Sequence, residues 1–258
     1  LYGFYFSAGA LIALGLAQWL AWPIWALLPL AALAAGVIAM VLDGLLLTRL
    51  RRAQAPELAS LMVTLGGALA LYSLATSVLG PDIRRFPPGL LSDRAIQFLG
   101  VRISASQILI LAATFVFVCG LVLLLRGTRF GLAIRAMAEK PDAAGLMGID
   151  TGRLAALVSL ISGTLAGAGG VLIGLNFDAI QPYMGEEMML RGFVVIIVGG
   201  LGDIRGALIA GLLLGIVEVL TAAYLSSGLK EAVAFLILVA VLWTRPSGLF
   251  GHAVVRRA

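Results

Sequence analysis

ASQILILAATFVFVCGLVLLL, residues 105–125, runs directly into RGTRFGLAIRAMAEKPDAAGLMGIDTGR, residues 126–153, and this junction decides how the rest of the chain is read. The first stretch is 21 residues long without a charge. A run of roughly 20 apolar residues is long enough to cross the hydrocarbon core of a bilayer. The second stretch is a polar island of 28 residues holding five of the 18 basic side chains, and another apolar run starts at residue 154. Working outward, similar apolar runs occupy 1–21, 24–48, 57–79, 154–176, 188–201, 206–225 and 229–244. The pattern predicts an all-α, polytopic transmembrane helical bundle of about eight spans, forming one domain over 1–258 with a cytoplasmic loop at 126–153. The sixth run is short and passes into GGLGDIRG, a tight turn between two helices.

Composition agrees. The chain is 61% hydrophobic and 12% charged, with a mean hydropathy of +1.08, where soluble domains carry about 25% charged residues. Cys119 is the single cysteine, and His252, the single histidine, lies beyond the last span. A metal site and imidazole chemistry are therefore not expected. The net charge of +5 does not mark a nucleic-acid partner, because the basic residues gather at span ends, where topology needs them. Placing Arg49, Arg51, Arg52, the island, Arg205, Arg245, Arg256 and Arg257 on one side gives twelve basic residues there, against six on the other. The excess puts the island and the C-terminus in the cytoplasm. The chain opens apolar at Leu1 with neither Met nor a basic leader region, so a preceding segment with a further helix is expected to be missing.

Between the third and fourth spans, GPDIRRFPPG reads as an outside loop, since Pro87, Pro88 and Gly89 forbid helix continuation. Gly163, Gly167, Gly170 and Gly174 step by four, three and four and share a helix face. Gly211 and Gly215 fall on a second small-residue stripe. Small residues at this spacing make close helix–helix seams, either as static packing or as surfaces that rock during a transport cycle. Glu218 lies on the second stripe, and a carboxylate inside a span should face the bundle interior. It is a hydrogen-bond anchor, a pathway residue or a proton site. Asp43 reads as an interfacial charge near Arg49. Thr64, Gly66 and Asn176 are candidate path-lining residues.

Within the island, Pro141 suits the first turn of a helix, Glu139 and Asp142 suit its positive end, and Gly148 suits a left-handed C-terminal cap. Ala143, Ala144, Leu146 and Met147 supply a small apolar surface. Such a helix either lies on lipid headgroups or fits a groove on a soluble partner. The chain has no GxxxxGK[ST] phosphate loop, and its lone intramembrane glutamate falls short of a catalytic cluster, so it is not expected to be an enzyme.

AIRAMAEKPDAAGLMGID (133–150), PYMG at 182–185 with GGLGDIRGALIAGLLLGIVE (199–218), RPSGLFG (245–251) and TLG (64–66) together resemble permeases of branched-chain amino acid ABC importers, and within their permease pair the H-type subunit. The resemblance covers essentially the whole chain. It departs at the start, where family members carry a further helix and an NFAHG segment. It implies a multi-pass protein of the bacterial inner membrane that works with a second permease subunit, two cytoplasmic ATP-binding subunits and an extracytoplasmic substrate-binding protein. This chain would bind no cofactor, and ATP would be used by the partner subunits. The coupling helix would span about 139–149, with Glu139, Ala143, Ala144, Gly145 and Gly148 in the motif positions. Related importers of urea, short amides or other small polar solutes look much alike. An ion-coupled secondary transporter fits less well, because intramembrane charges are sparse.

Overall fold

The computed structural model describes residues 1–20, 22–48, 50, 56–87, 96–98, 101–200, 202–245 and 248–250. Expectations resting on Arg49, Arg51, Arg52, Pro88, Gly89, Arg94, His252, Arg256 and Arg257 lie outside the described residues. Helices dominate, as they must where no water is present to hydrogen-bond an open backbone. They are α1 (Tyr2–Leu20), α2 (Ile24–Leu42), α3 (Glu57–Leu79), α4 (Ala105–Gly127), α5 (Arg129–Glu139), α6 (Pro141–Leu146), α7 (Thr151–Phe177), α8 (Met184–Gly199), α9 (Ile204–Tyr224) and α10 (Lys230–Thr244). A π-helical turn, Asp43–Leu47, continues α2, and a 3-10 turn, Ser227–Leu229, precedes α10.

All eight expected spans are helices. Among the described residues, six stretches are long and apolar enough to cross a membrane: Ile24–Leu47, Leu58–Leu79, Ala105–Gly127, Thr151–Phe177, Ile204–Tyr224 and Ser227–Thr244. The helices α1 and α8 occupy the first and sixth expected positions but fall outside that set. The loop between α3 and α4 is not wholly irregular. Strands β1 (Ile96–Phe98) and β2 (Val101–Ile103) form a small antiparallel hairpin, and Arg84 and Ile180 exchange two backbone hydrogen bonds of 2.9 and 2.8 Å. Local chemistry sets the helix starts. Ser104 and Gln107 cap α4 reciprocally, Asp150 accepts from the Arg153 N–H at 3.0 Å to begin α7, and Asp203 does the same for α9 through Arg205 at 2.7 Å.

The chain expected as one domain resolves into two compact units, divided between Glu186 and Glu187. Composition does not change across that point, so the sequence carries no boundary signal. The core of the first unit is α1, α2 and α7. Its α2 face is Ala31, Ala32, Ala35 and Ala39, all fully buried. The glycine stripe of α7 meets that face and α1. A Cβ on Gly163 would stand 3.1 Å from the Gly36 Cα, one on Gly167 would stand 2.5 Å from the Ala35 Cβ, and one on Gly170 would overlap the Phe6 carbonyl. Gly174 is looser, with Ile180 at 3.1 Å. Small side chains on both sides let backbones touch, which is where attraction between helices in lipid comes from. By contrast, α3 and α4 hold few fully buried residues inside this unit, although Leu109, Ile110, Ala113 and Phe117 of α4 pack against its core.

The second unit gathers α9, α10 and the C-terminal part of α8 around Val194, Val198, Ala210, Leu214 and Ala234. The second small-residue stripe does not form the expected seam within this unit. Gly211 reaches only ordinary contact with Val195 at 3.6 Å, and nothing lies within 4 Å of a Cβ placed on Gly215. Spacing alone put both residues on one face but could not say whether a neighbour lay opposite.

The two stripes should therefore respond differently to one added methyl. Gly170→Ala is expected to destabilise the detergent-solubilised protein by about 1–3 kcal/mol through overpacking, while Gly215→Ala should be neutral or slightly stabilising. Reversible unfolding in mixed micelles measures both; equal effects would remove the distinction between seam and open face.

Candidate functional site

The polar island folds into two helices. Thr128 starts α5, its hydroxyl oxygen accepting from the Gly131 N–H at 3.1 Å and its hydroxyl donating to the Leu124 carbonyl at 2.6 Å. Gly131 is buried, and a Cβ there would overlap the Leu124 and Leu125 carbonyls, so α5 folds back tightly under the end of α4. At Lys140 the chain leaves helical geometry, with φ −148° and ψ 92°. Pro141 is the cause, because its ring excludes the α conformation from the preceding residue. It then serves as the first residue of α6.

This corrects the single coupling helix expected over 139–149. Glu139 ends α5 rather than beginning α6, so it stands at the negative end of a helix dipole, not the positive one. Helix α5 was not expected at all. Its signal was present in the Thr128 cap and in Phe130, Ile134 and Met137, which recur at helical spacing.

The end of α6 is a Schellman turn. Gly148 sits at φ +85°, its N–H donates to the Gly145 carbonyl at 3.0 Å, and the Ile149 N–H donates to the Ala144 carbonyl at 3.1 Å. Ala144 is buried, whereas Glu139, Ala143, Gly145 and Gly148 are exposed. Beside them Leu146 is 91% exposed and Met147 85%. A groove of about 500 Å³ lies between the two helices, with Leu132, Ala133, Ala136, Ala143, Ala144 and Ile149 in its walls. At the end of this six-residue helix Leu146 stands exposed, and the exposed Met147 after it lines the groove together with Arg129 and Lys140.

Thr64 donates to the Leu61 carbonyl of its own helix at 2.9 Å, Gly66 faces open space, and Asn176 is exposed one residue from the end of α7. A cluster the sequence did not reveal lies elsewhere in the first unit. The fully buried Ser7 accepts from the Gly185 N–H at 2.9 Å, and the buried Tyr72 stacks on Tyr183 with ring centroids 5.0 Å apart. Each of these two contacts joins residues more than a hundred positions apart in sequence, which no local pattern signals.

Two carboxylates lie on the predicted spans. Asp43, read as interfacial, is buried at 3% exposure on the π-helical turn. Glu218 on α9 faces Arg191 on α8, with Oε1 3.7 Å from Nε and side-chain exposures of 17% and 27%. The sequence reading put Arg191 with the outside charges. Pairing is how opposite charges are tolerated at membrane depth.

Comparison with known proteins supplies the context. Residues 2–242 match the family described as the branched-chain amino acid transport system permease component. The chain is 39% identical over 155 residues to the high-affinity branched-chain amino acid transport system permease protein LivH of Escherichia coli strain K12, covering 60% of this chain and 50% of that protein. It is 38% identical over 158 residues to the corresponding permease protein BraD of Pseudomonas aeruginosa, covering 61% and 52%. A probable branched-chain amino acid transport permease protein LivH of Methanocaldococcus jannaschii is 33% identical over 193 residues, covering 72% and 59%. The chain thus spans about half the length of the curated relatives it matches. No solved structure matches.

A double-mutant cycle with Arg191→Gln and Glu218→Gln should return a coupling energy of about 0.6–1.7 kcal/mol in the bilayer, the range for polar pairs between membrane helices. Unfolding in bicelles measures it, and a coupling indistinguishable from zero would show that the pair contributes nothing to stability.

Proposed function

The chain belongs to the branched-chain amino acid transport permease family, and from that premise we propose that it is a permease subunit of an ATP-driven importer of branched-chain amino acids. It is a multi-pass membrane protein, and the proposed setting is the bacterial inner membrane with the C-terminus in the cytoplasm. Its proposed partners are a second permease subunit, two cytoplasmic ATP-binding subunits and an extracytoplasmic substrate-binding protein. ATP hydrolysis falls to the ATP-binding subunits. The names of the relatives support the substrate class.

One observation carries the coupling reading: the exposed pair Leu146 and Met147 at the end of a capped, proline-started helix. Large apolar side chains held rigidly outward in a charged loop are what a groove on a soluble protein recognises. The break at Lys140 matters mechanically. It turns α6 back against α5 while the Schellman turn at Gly148 joins α6 to α7 within four residues, so a pull on α6 is passed to both neighbours. Since α7 is the helix whose glycine seam grips α1 and α2, movement of α6 reaches the core of the first unit without an intervening flexible linker. Glu139, Ala143 and Gly145 complete the exposed surface, and Ala144 anchors it from below.

Reconstitution in liposomes with the partner subunits tests this. Labelled leucine should accumulate with ATP and not without it. The Leu146→Asp/Met147→Asp variant should keep the fold yet lose at least tenfold of the ATP-driven uptake. Hydrolysis of ATP with no leucine uptake by the unaltered complex would redirect the substrate to urea, amides or another small solute; normal uptake by the variant would remove α6 from the coupling path.

A further inference from the structure

The second unit holds an ion pair and an apolar cavity side by side. Arg191, Val194, Val195 and Val198 share one face of α8, and Ala210, Leu214, Val217 and Glu218 lie toward them on α9. A cavity of about 230 Å³ between α8, α9 and α10 is lined by aliphatic side chains, among them Val194, Val195, Val198, Ala210, Leu214 and Val217, the last adjacent in sequence to Glu218. That exceeds the about 150 Å³ apolar cavity known to hold a benzene ring. Val194 and Leu214 each stand about one helical turn from the charged residue on their own helix, roughly 5 Å along the axis.

The charged end is incompletely satisfied. Nε of Arg191 is buried and has no hydrogen-bond acceptor among the described residues, the Glu218 carboxylate at 3.7 Å being outside hydrogen-bond range. Another guanidinium nitrogen, Nη1, meets only the thioether sulfur of Met188, at 3.9 Å. A guanidinium has five N–H donors and pairs best with a carboxylate through two of them. Here the buried Nε has no acceptor among the described residues, although the Glu218 carboxylate stands beside it.

We propose that α8 and α9 form a transit site for a zwitterionic amino acid with an aliphatic side chain. Arg191 takes the substrate carboxylate, Glu218 takes the ammonium group, and the adjoining cavity takes the side chain. The proposal rests on the importer reading above and assigns that activity to particular residues. Its physical logic is charge conservation at membrane depth. A bare charge in the span costs several kcal/mol, but when a zwitterion inserts into an ion pair, two opposite charges meet two opposite charges. No ion is left uncompensated before, during or after passage. When the substrate leaves, Arg191 and Glu218 pair with each other again. A solute lacking either charged group leaves one protein charge without a partner, and a solute without an aliphatic side chain leaves the cavity empty.

The test uses the complete importer in liposomes and a diazirine analogue of leucine, photolysed during ATP-driven uptake. Labelling is expected within 191–198 and 210–218, competed by excess leucine and reduced at least tenfold by Glu218→Gln. Ala210→Leu fills the cavity without touching the ion pair. It should lower the maximal rate of leucine uptake about tenfold and that of alanine less than threefold. Leucine uptake with labelling confined to other segments, or unchanged rates in Ala210→Leu, overturns this site and leaves the importer reading intact. Labelling of the same segments by a photoreactive phospholipid, uncompeted by leucine, would show the cavity to hold an acyl chain and also overturns it. Absence of ATP-driven leucine uptake by the unaltered complex overturns both readings.

Discussion

Close approach of backbone to backbone at α7 is the constraint on which the first unit depends. In lipid no hydrophobic force pulls one apolar helix onto another, so cohesion comes from packing at short range. Gly163, Gly167 and Gly170 deliver it by letting α2 and the Phe6 carbonyl of α1 come where a side chain would stand. Everything attached to α7 inherits that rigidity. Its N-terminus is fixed by the Asp150 cap and follows the Schellman turn of α6, and its C-terminal end leads to Asp178 and Ile180, which tie down the segment after α3 through Phe86 and Arg84. A push at the polar island therefore acts on the most tightly packed helix of the unit.

Where polar groups enter the apolar interior, each has a definable task. Ser7 satisfies the Gly185 N–H at the start of α8, the kind of orphan donor that every helix leaves at its N-terminus. Tyr72 and Tyr183 stack nearby. Arg191 and Glu218 hold each other at a separation too long for a good hydrogen bond, which keeps the pair together without saturating it. Helices α3 and α4 keep large apolar side chains exposed, Leu61, Met62, Leu111 and Phe115 among them, as lipid-facing or partner-facing spans require.

Much of this was legible in the sequence because the bilayer simplifies the problem. Long runs with few charges leave the backbone one choice, and the eight expected spans agree with helices to within a few residues. Pro141 and Gly148 were readable for a local reason, since each restricts its own dihedral angles. The same proline was underused: its effect on Lys140 divides α5 from α6 and moves Glu139 to the other end of a dipole. What the sequence withheld was long-range pairing. Spacing placed Gly215 and Gly170 on equivalent stripes, yet only the second has a neighbour. Likewise, nothing near Glu218 in sequence announces Arg191, 27 residues earlier, as its partner.

The central claim, that α6 transmits the action of an ATP-binding subunit into α7, is most directly tested by cysteine cross-linking from the tip of that helix. Leu146→Cys in a Cys119→Ser background leaves one thiol in the chain, carried on a side chain exposed in the permease alone. In the assembled importer it should cross-link to the ATP-binding subunit, with a yield that changes when ATP is bound. Cross-linking to lipid instead, in a complex that still imports leucine, would contradict the account and make α6 a membrane-surface helix.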